Sequence, residues 1–424
     1  MGLFNRNKIE FDDIKFAGDF INIPKYEELR FMPLGEYKGR AIESKQETSN
    51  ILHITKNQND KDYIISSMLQ IIDREESMII LDPNGKLYNR FKTLLYSKNY
   101  RIRYVNIDEE DSNTWNFFDN DELDINNPNA KFEVVNKCGY LLDIFYNQFF
   151  DTEEYELHTD KWSIIFGAIY AYIYTNYLLL ENKFERMYDL IQYNTVEDLD
   201  HLFIDANDIT NSLWFDYDIT DEEKDYYLSL SLTVIDLLRE PGTNKIISTS
   251  DMVLSNPAKT KSAYFFDSIP GVLDDNNCIN IILNFILLEL ENYIKETGLP
   301  KVPVYFIMND IEYFPNLQSF INNSVKFENK HISFIYTCSE LDGIYEAYDN
   351  IILNKFFNSL NYITIAKYDK ENFDIINKHI INLPEGLNEE YLERKQILIA
   401  QDSVLLCKEF RLDEHKLYYR INFV

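Results

Sequence analysis

Apolar residues keep one rhythm at both ends of this chain and another in its middle, and that change of period constrains the fold most. Residues 51–54 read as a strand, 63–72 carry the i, i+3, i+4 spacing of a helix, and 78–81 form a second short apolar run. Asp82-Pro83-Asn84-Gly85 ends that run as a turn, 87–98 is again helical, and 102–106 again strand-like. From 131 to 240 no strand interrupts a series of helical segments: 132–150, 161–180, 185–193, a patch near 195–216, and 222–239. Glu240-Pro241-Gly242 reads as the end of that block. Strands and helices then alternate once more, with strands expected at 262–266, 302–308, 332–336 and 361–366 and helices at 280–296 and 317–323. Strand-helix-strand alternation defines a parallel α/β sheet, and an uninterrupted helical block inside it defines an inserted all-α domain. The expected boundaries are an N-terminal arm over 1–30, the first part of the α/β domain over 31–130, the all-α insertion over 131–240, and the second α/β part over 241–424. The last part carries a mixed tail from 383, with apolar runs at 396–400 and 417–424.

Charge narrows the function classes. There are 41 Lys+Arg against 71 Asp+Glu, a formal net charge of −30. Bulk binding to duplex DNA or anionic lipid needs cations that displace counterions, so neither is expected. Cys138, Cys278, Cys338 and Cys407 lie far apart with no CxxC pair, which indicates structural thiols rather than a zinc site or a disulfide framework. Acidic residues stand where an export signal needs an apolar stretch, so the expected location is the cytoplasm. Residues 162–180 carry no charge and approach membrane-spanning length, but four tyrosines with Ser163, Thr175 and Asn176 favour a buried helix over an anchor.

Four segments resemble one family, the type IV coupling proteins, conjugative DNA-pump ATPases related to the FtsK and HerA motors. The first is Leu34-Gly35-Glu36-Tyr37-Lys38-Gly39-Arg40, similar to the segment before that family's phosphate loop. The second carries Asp82, Pro83, Gly85, Leu87, Tyr100, Val105, Asn106, Ser112, Trp115 and Asn116 in the family's order and spacing. The third, VPVYFIMNDIEYFPNLQSFINN from Val302, resembles the Walker B strand and the turn after it. The fourth, from Ile332 to Ala366, resembles the next strand, the sensor turn and the following strand. The resemblance implies a RecA-like P-loop-type parallel sheet with an inserted all-α domain that faces substrate and relaxosome proteins.

Where that family performs chemistry, this sequence departs from it. A phosphate loop needs glycines so that backbone N–H groups close around phosphate oxygens, and a Lys with Ser/Thr to hold phosphate and Mg2+. Aligned on Lys61, the three glycines become Thr55, Gln58 and Asp60, and the Mg2+ hydroxyl becomes Asp62. Each carboxylate facing a phosphate charge at about 4 Å costs about 4 kcal/mol at an effective dielectric near 20. The Walker B Asp and Glu become Asn309 and Asp310, and the sensor glutamines become Tyr336 and Glu340. The family's Arg before the following strand falls near Glu328, and Asn84 and Lys86 replace a Lys and a Glu. Asp82 and Gly85 remain as vestiges of the site. Asp82 reads equally as a turn cap, Lys61 as a solvated lysine at a helix start, and His53 as a hydrogen-bonded core histidine.

The leading expectation is therefore a pseudo-ATPase. It would be a catalytically inactive, coupling-protein-like component of a conjugation or type IV secretion apparatus, with no cofactor, no metal and no transmembrane anchor. Its expected partners are proteins: a competent motor ATPase, relaxosome components or secretion-channel components. Any approach to the inner face of the membrane would be made through them. The alternative is a divergent but active DNA-translocating ATPase that uses Lys61, Asp310 and Glu312 with ATP and Mg2+. A regulatory or immunity role for a mobile-element protein is a third reading.

Overall fold

The computed structural model describes residues 21–46, 49–55, 62–118, 129–145, 155–177, 183–267, 273–313, 318–339, 341–348, 350–366, 375, 396–400 and 403–421. The chain divides into two compact units, one of residues 1–104, 255–270 and 289–424, the other of 105–254 and 271–288. The helical unit thus extends beyond the expected 131–240 on both sides.

The first unit is built on a nine-stranded sheet. Its strands are β4 (Ile51–Thr55), β5 (Ser77–Leu81), β6 (Arg101–Asn106), β7 (Ser262–Asp267), β8 (Val304–Met308), β9 (Ile332–Cys338), β10 (Tyr362–Ala366), β11 (Gln396–Ala400) and β12 (Ser403–Cys407). They lie in the order β12-β11-β10-β4-β9-β8-β5-β7-β6. All seven expected strands are in this one sheet, and the six from β10 to β7 run parallel. β5, β7, β8, β9 and β10 are buried along their whole length, which is why they read as continuous apolar runs and not as alternating ones. The helix Asp62–Asp73 inserts Ile64, Ile65, Met68, Leu69, Ile71 and Ile72 into the core, with Phe91, Leu94 and Leu95 of the helix Lys86–Ser97 in the same cluster.

Sequence reading needs correction at the edges of this unit. Residues 21–22, assigned to an arm, form β1 (Ile21–Asn22) of a separate three-stranded sheet with β2 (Pro33–Tyr37) and β3 (Arg40–Ser44), in the order β1-β3-β2. The β2–β3 turn is Lys38-Gly39, both at positive φ (50° and 78°), as a two-residue hairpin requires. Buried Glu43 accepts hydrogen bonds from the Arg30 and Phe31 N–H groups (2.7 and 2.8 Å), so the carboxylate is satisfied inside the sheet. The apolar run at 396–400 is β11, which pairs antiparallel with both β10 and β12. The residues from Leu412 to Ile421 fold as short 3-10 turns beside the helix Asp62–Asp73, where Lys416 reaches Asp73 (2.5 Å). There Leu417 N–H donates to His415 Nδ1 (3.2 Å), leaving Nε2–H to donate to Gln70 Oε1 (3.2 Å).

The second unit contains the helices Ala130–Phe145, Tyr155–Asn176, Lys183–Gln192, Val196–Phe203, Asp208–Phe215, Asp221–Leu238 and Pro241–Ser248. Pro241 does not close the helical block. It stands in the first turn of another helix, where its missing N–H and fixed φ carry no penalty. That helix holds the chain that follows β6: the Trp115 and Phe117 N–H groups donate to the Ile246 and Ile247 carbonyls (2.8 and 3.2 Å). Residues 162–176 of the expected uncharged stretch form the later turns of the helix Tyr155–Asn176, whose first turns carry Asp160 and Lys161; residues 178–180 lie outside the described residues. Trp162, Ile165, Phe166, Ile169, Tyr170 and Ile173 along that helix are buried, and no helix among the described residues is long and apolar enough to cross a membrane.

Candidate functional site: the C-terminal strand edge

In an open parallel sheet, ligand chemistry gathers at the carboxyl ends of the strands. Strand register brings three such ends level here. Ile54 lies opposite Cys338 and Met308 opposite Tyr336, so Thr55, the Asn309-Asp310 pair and Ser339 share one edge. β9 stands between the strand entering the phosphate-loop position and the strand at the Walker B position.

Immediately after β8 the chain turns sharply. Asp310 has φ 54°, in the left-handed region, and the 3-10 turn Ile311–Tyr313 follows. Thr337 holds the turn from β9: its Oγ1 accepts from Asp310 N–H (3.0 Å) and donates to Asn309 Oδ1 (3.1 Å). Asn309 is fully buried, and its Nδ2 has no hydrogen-bond partner among the described residues. Glu312 is clamped through one oxygen. The Ser339 N–H and Oγ both donate to Glu312 Oε1 at 2.6 Å, while Oε2 is buried without a partner among the described residues. Burial raises the Glu312 carboxyl above the usual range; the Ser339 bonds oppose that and the Asp310 charge adds to it. At the end of β4, Thr55 Oγ1 is likewise buried and unpartnered among the described residues.

As a cradle for Mg2+ this set is poorly suited. Mg2+ needs oxygen ligands in octahedral array, but Asn309 is neutral, its oxygen is taken by Thr337, and its amide is a donor. Beside the loop, desolvation raises the Asp62 carboxyl, with Arg90 opposing and Asp413 reinforcing the shift.

The other expected positions have structural roles or fall elsewhere. Gln58, Asp60, Lys61 and Glu340 lie outside the described residues. Tyr336 points into the core, where its hydroxyl meets Ser324 Oγ (3.3 Å) and its ring packs on Phe356 at 4.8 Å. His53 is a buried strand residue, hydrogen-bonded to Thr364 and stacked on Tyr63 at 4.4 Å, as the core reading expects. Asp82 caps the helix Lys86–Ser97: its two oxygens accept from the Leu87 and Tyr88 N–H groups (3.0 and 2.7 Å). Gly85, at φ 61°, lets the turn pass close to Asp267, whose Oδ2 would lie 2.7 Å from an added Cβ. Ser112 Oγ and Asn116 Oδ1 likewise accept backbone N–H bonds, from Asn106 and Phe118. Thr337 and Ser339, which organise the edge, were not singled out by sequence, because their roles depend on the β8–β9 register.

Asp82 provides a test of the capping role. Asp82→Asn keeps the shape but leaves one acceptor for two N–H groups, so unfolding free energy should fall by about 1–3 kcal/mol in urea denaturation. An unchanged midpoint would exclude the cap as a source of stability.

A parallel sheet in this strand order, interrupted by an all-α unit, is the RecA-like P-loop-type fold. Comparison with solved structures places it further. The bacterial conjugative coupling protein TrwBdeltaN70 superposes with a TM-score of 0.59 at 10% identity, covering 90% of this chain and 88% of that one. TrwB in complex with ADP and Mg2+ gives 0.57 at 11% identity, with coverages of 85% and 84%. VirB4 of Thermoanaerobacter pseudethanolicus gives 0.56 at 10% identity, with coverages of 90% and 96%. No family model and no curated protein matches the chain. The chain has the fold shared by the coupling protein and VirB4, the fold its four motifs imply.

Proposed function

We propose that this chain is a binding or assembly component of a conjugation or type IV secretion apparatus, one that retains the RecA-like fold without turning over ATP. The observation that carries the reading is Asn309: at the Walker B position stands a fully buried neutral amide whose oxygen is bonded to Thr337. The loop from Thr55 to Asp62 supports it, since no glycine is available there to aim successive N–H groups inward. Its partners on this reading are proteins of the apparatus, with a competent motor among the candidates.

The reading predicts that calorimetric titration with Mg-ATP gives no binding in the low-micromolar range (on the order of 1–10 μM), and that Lys61→Ala leaves stability unchanged. Saturable binding abolished by Lys61→Ala would reinstate a nucleotide site. A second reading, the active ATPase, draws on Glu312, whose buried and partly unbonded carboxylate is raised in pKa as a proton acceptor would be. Mg2+-dependent turnover lost in both Lys61→Ala and Glu312→Gln would establish it in place of the first.

The charge of −30 supports protein partners over DNA. Random-sequence duplex should not shift with micromolar protein at physiological salt, because each phosphate contact needs a cation to release counterions. A salt-sensitive shift would contradict this.

A further inference from the structure

In the first unit the strands β8, β5, β7 and β6 are successive neighbours, and backbone bonds fix how the residues leading into them lie. Arg101 N–H donates to the Lys261 carbonyl (3.2 Å), which joins the starts of β6 and β7. Ser77 N–H donates to the Pro303 carbonyl (3.0 Å), joining β5 to β8, and Lys301 N–H donates to the Ala258 carbonyl (2.9 Å), joining the approaches to β8 and β7. Lys98, Arg101, Lys259, Lys261 and Lys301 therefore stand along one rim, at the amino ends of the strands. At a strand spacing of about 4.8 Å, the rim runs about 15 Å from β8 to β6.

Its charge runs against that of the chain. Residues 83–107, which supply Lys98 and Arg101, hold six Lys and Arg and no Asp or Glu, where the average composition would place about four acids. Of the five cations only Lys261 is ion-paired among the described residues, with Glu75 (3.1 Å). Glu76, beside it, is taken by Arg74. Ordinary roles explain part of the rim: Lys98 follows the carboxyl end of the helix Lys86–Ser97, where a cation suits the dipole, and Lys259 Nζ donates to Ser255 Oγ (3.0 Å). They explain neither Arg101 and Lys301, both exposed, nor the apolar side chains left in solvent beside the cations. Tyr96, two residues before Lys98, is 62% exposed, and Leu299, two residues before Lys301, is 50% exposed.

Charge also decides the occupant. A duplex or an anionic bilayer carries dense negative charge over a wide area, and would bring it against exposed Glu296 and the rest of a chain of net charge −30. A short acidic segment escapes that repulsion, because charges beyond about 8 Å are screened at physiological salt and those beneath it are cations. About five extended residues cover the length of the rim. We infer that the rim at the amino ends of β6, β7 and β8 docks an extended Asp/Glu-rich segment of a partner protein, with apolar residues between its acids to cover Tyr96 and Leu299. This deepens the reading of the chain as a protein-binding component. It uses no residue of the strand edge at the opposite, carboxyl end, so its failure would leave that reading standing, and the Mg-ATP titration tests the nucleotide site separately.

The test uses the full chain and two labelled synthetic peptides, Asp/Leu and an Asp/Ser control of equal charge, followed by fluorescence anisotropy. The Asp/Leu peptide should bind more tightly than the control, with an affinity that falls as salt rises. Changing Lys98, Arg101 and Lys301 together to Gln should weaken it by about fivefold or more and flatten the salt dependence. The same change at Lys38, Arg40 and Arg420, exposed cations elsewhere in this unit, controls for net charge and should alter affinity by less than about twofold. Tyr96→Ser and Leu299→Ser should each weaken the Asp/Leu peptide by about threefold while leaving the control unchanged, since each loses apolar area covered on binding. Glu296→Gln, which removes an unpaired acid five residues before Lys301, should tighten both peptides. If the triple variant perturbs folding through Arg101 in β6, the double variant Lys98→Gln with Lys301→Gln, outside the strands, keeps the test valid. Absence of peptide binding, equal effects of the two charge triplets, or indifference to both Tyr96→Ser and Leu299→Ser would overturn the inference. Stronger binding of random single-stranded DNA or of phosphatidylglycerol vesicles, lost in the same variants, would overturn it in favour of a phosphate-bearing polyanion.

Discussion

Acidification from pH 7 to about pH 5 should cost this protein about 4 kcal/mol through two buried histidines alone. Burial lowers His53 to about 3 and His415 to about 4, from an ordinary value of 6.5. A histidine whose folded pKa is depressed takes its proton more readily when unfolded. Its contribution is therefore complete above about 6.5 and is lost as pH falls from there toward the folded value, at about 1.4 kcal/mol per unit. At about pH 5 that amounts to about 2 kcal/mol for each ring. The groups facing them do not reverse the sign: His53 meets neutral Thr364 and Tyr63, while at His415 the Asp73 charge opposes burial and Lys416 assists it. Glu312 acts in the opposite direction, because a raised carboxyl relieves its own burial cost as pH falls. The approach to a pI of about 4.6 also relieves self-repulsion. Both are common to wild type and variant, so the diagnostic quantity is a difference. In His415→Gln, which can still accept from Leu417 or donate to Gln70, the slope of unfolding free energy against pH, averaged between 7 and 5, should fall by about two-thirds of a proton. An unchanged slope would mean that His415 titrates normally in the folded chain.

The same two histidines show how far the sequence could be read. His53 was legible because it sits inside an apolar strand run, where a lone imidazole is a core hydrogen-bonding residue. His415 was not, since the 3-10 turns around it carry no periodicity and its partner Gln70 is far away in sequence. Buried parallel strands declare themselves as unbroken apolar runs, as β5, β7, β8, β9 and β10 do, whereas the half-exposed edge strand β6 was legible only through the alternation of strand and helix around it. β2 was not: Pro33, Gly35 and buried Glu36 within five residues resemble a loop, and the Glu36 carboxylate is tolerated because it accepts from the Tyr26 hydroxyl (2.8 Å) and faces Lys408 Nζ (3.9 Å). Pro241 misled in the opposite way, since Pro-Gly ends one helix or begins another and only the following residues decide. At the site, motif alignment found Asn309, Asp310 and Tyr336. Strand register alone revealed that Thr337 and Ser339 hold the first turn after β8.

Trp162→Ala should destabilise the helical unit by about 3–5 kcal/mol, the range for deleting a large buried aromatic. Trp162 is fully buried in the helix Tyr155–Asn176, and its Nε1–H donates to Ser231 Oγ (3.0 Å), which itself donates to the Tyr227 carbonyl (2.7 Å). Removing the ring opens a cavity between this helix and Asp221–Leu238 and deletes a buried hydrogen bond. Outside that cavity, Lys161 and Glu223 still join the same two helices (2.5 Å), but an ion pair this exposed is screened by water and cannot offset the loss. Trp162→Phe separates the two contributions: it keeps most of the volume and loses only the N–H bond, so it should cost about 1–2 kcal/mol. The pair of variants also decides between a packed helix and a lipid-facing one, because a tryptophan facing acyl chains has no cavity to leave behind. Loss of helical signal at lower urea in Trp162→Ala, with Trp162→Phe in between, is the expected order. Equal midpoints in all three proteins would remove Trp162 from the core and reopen the membrane reading of residues 162–180.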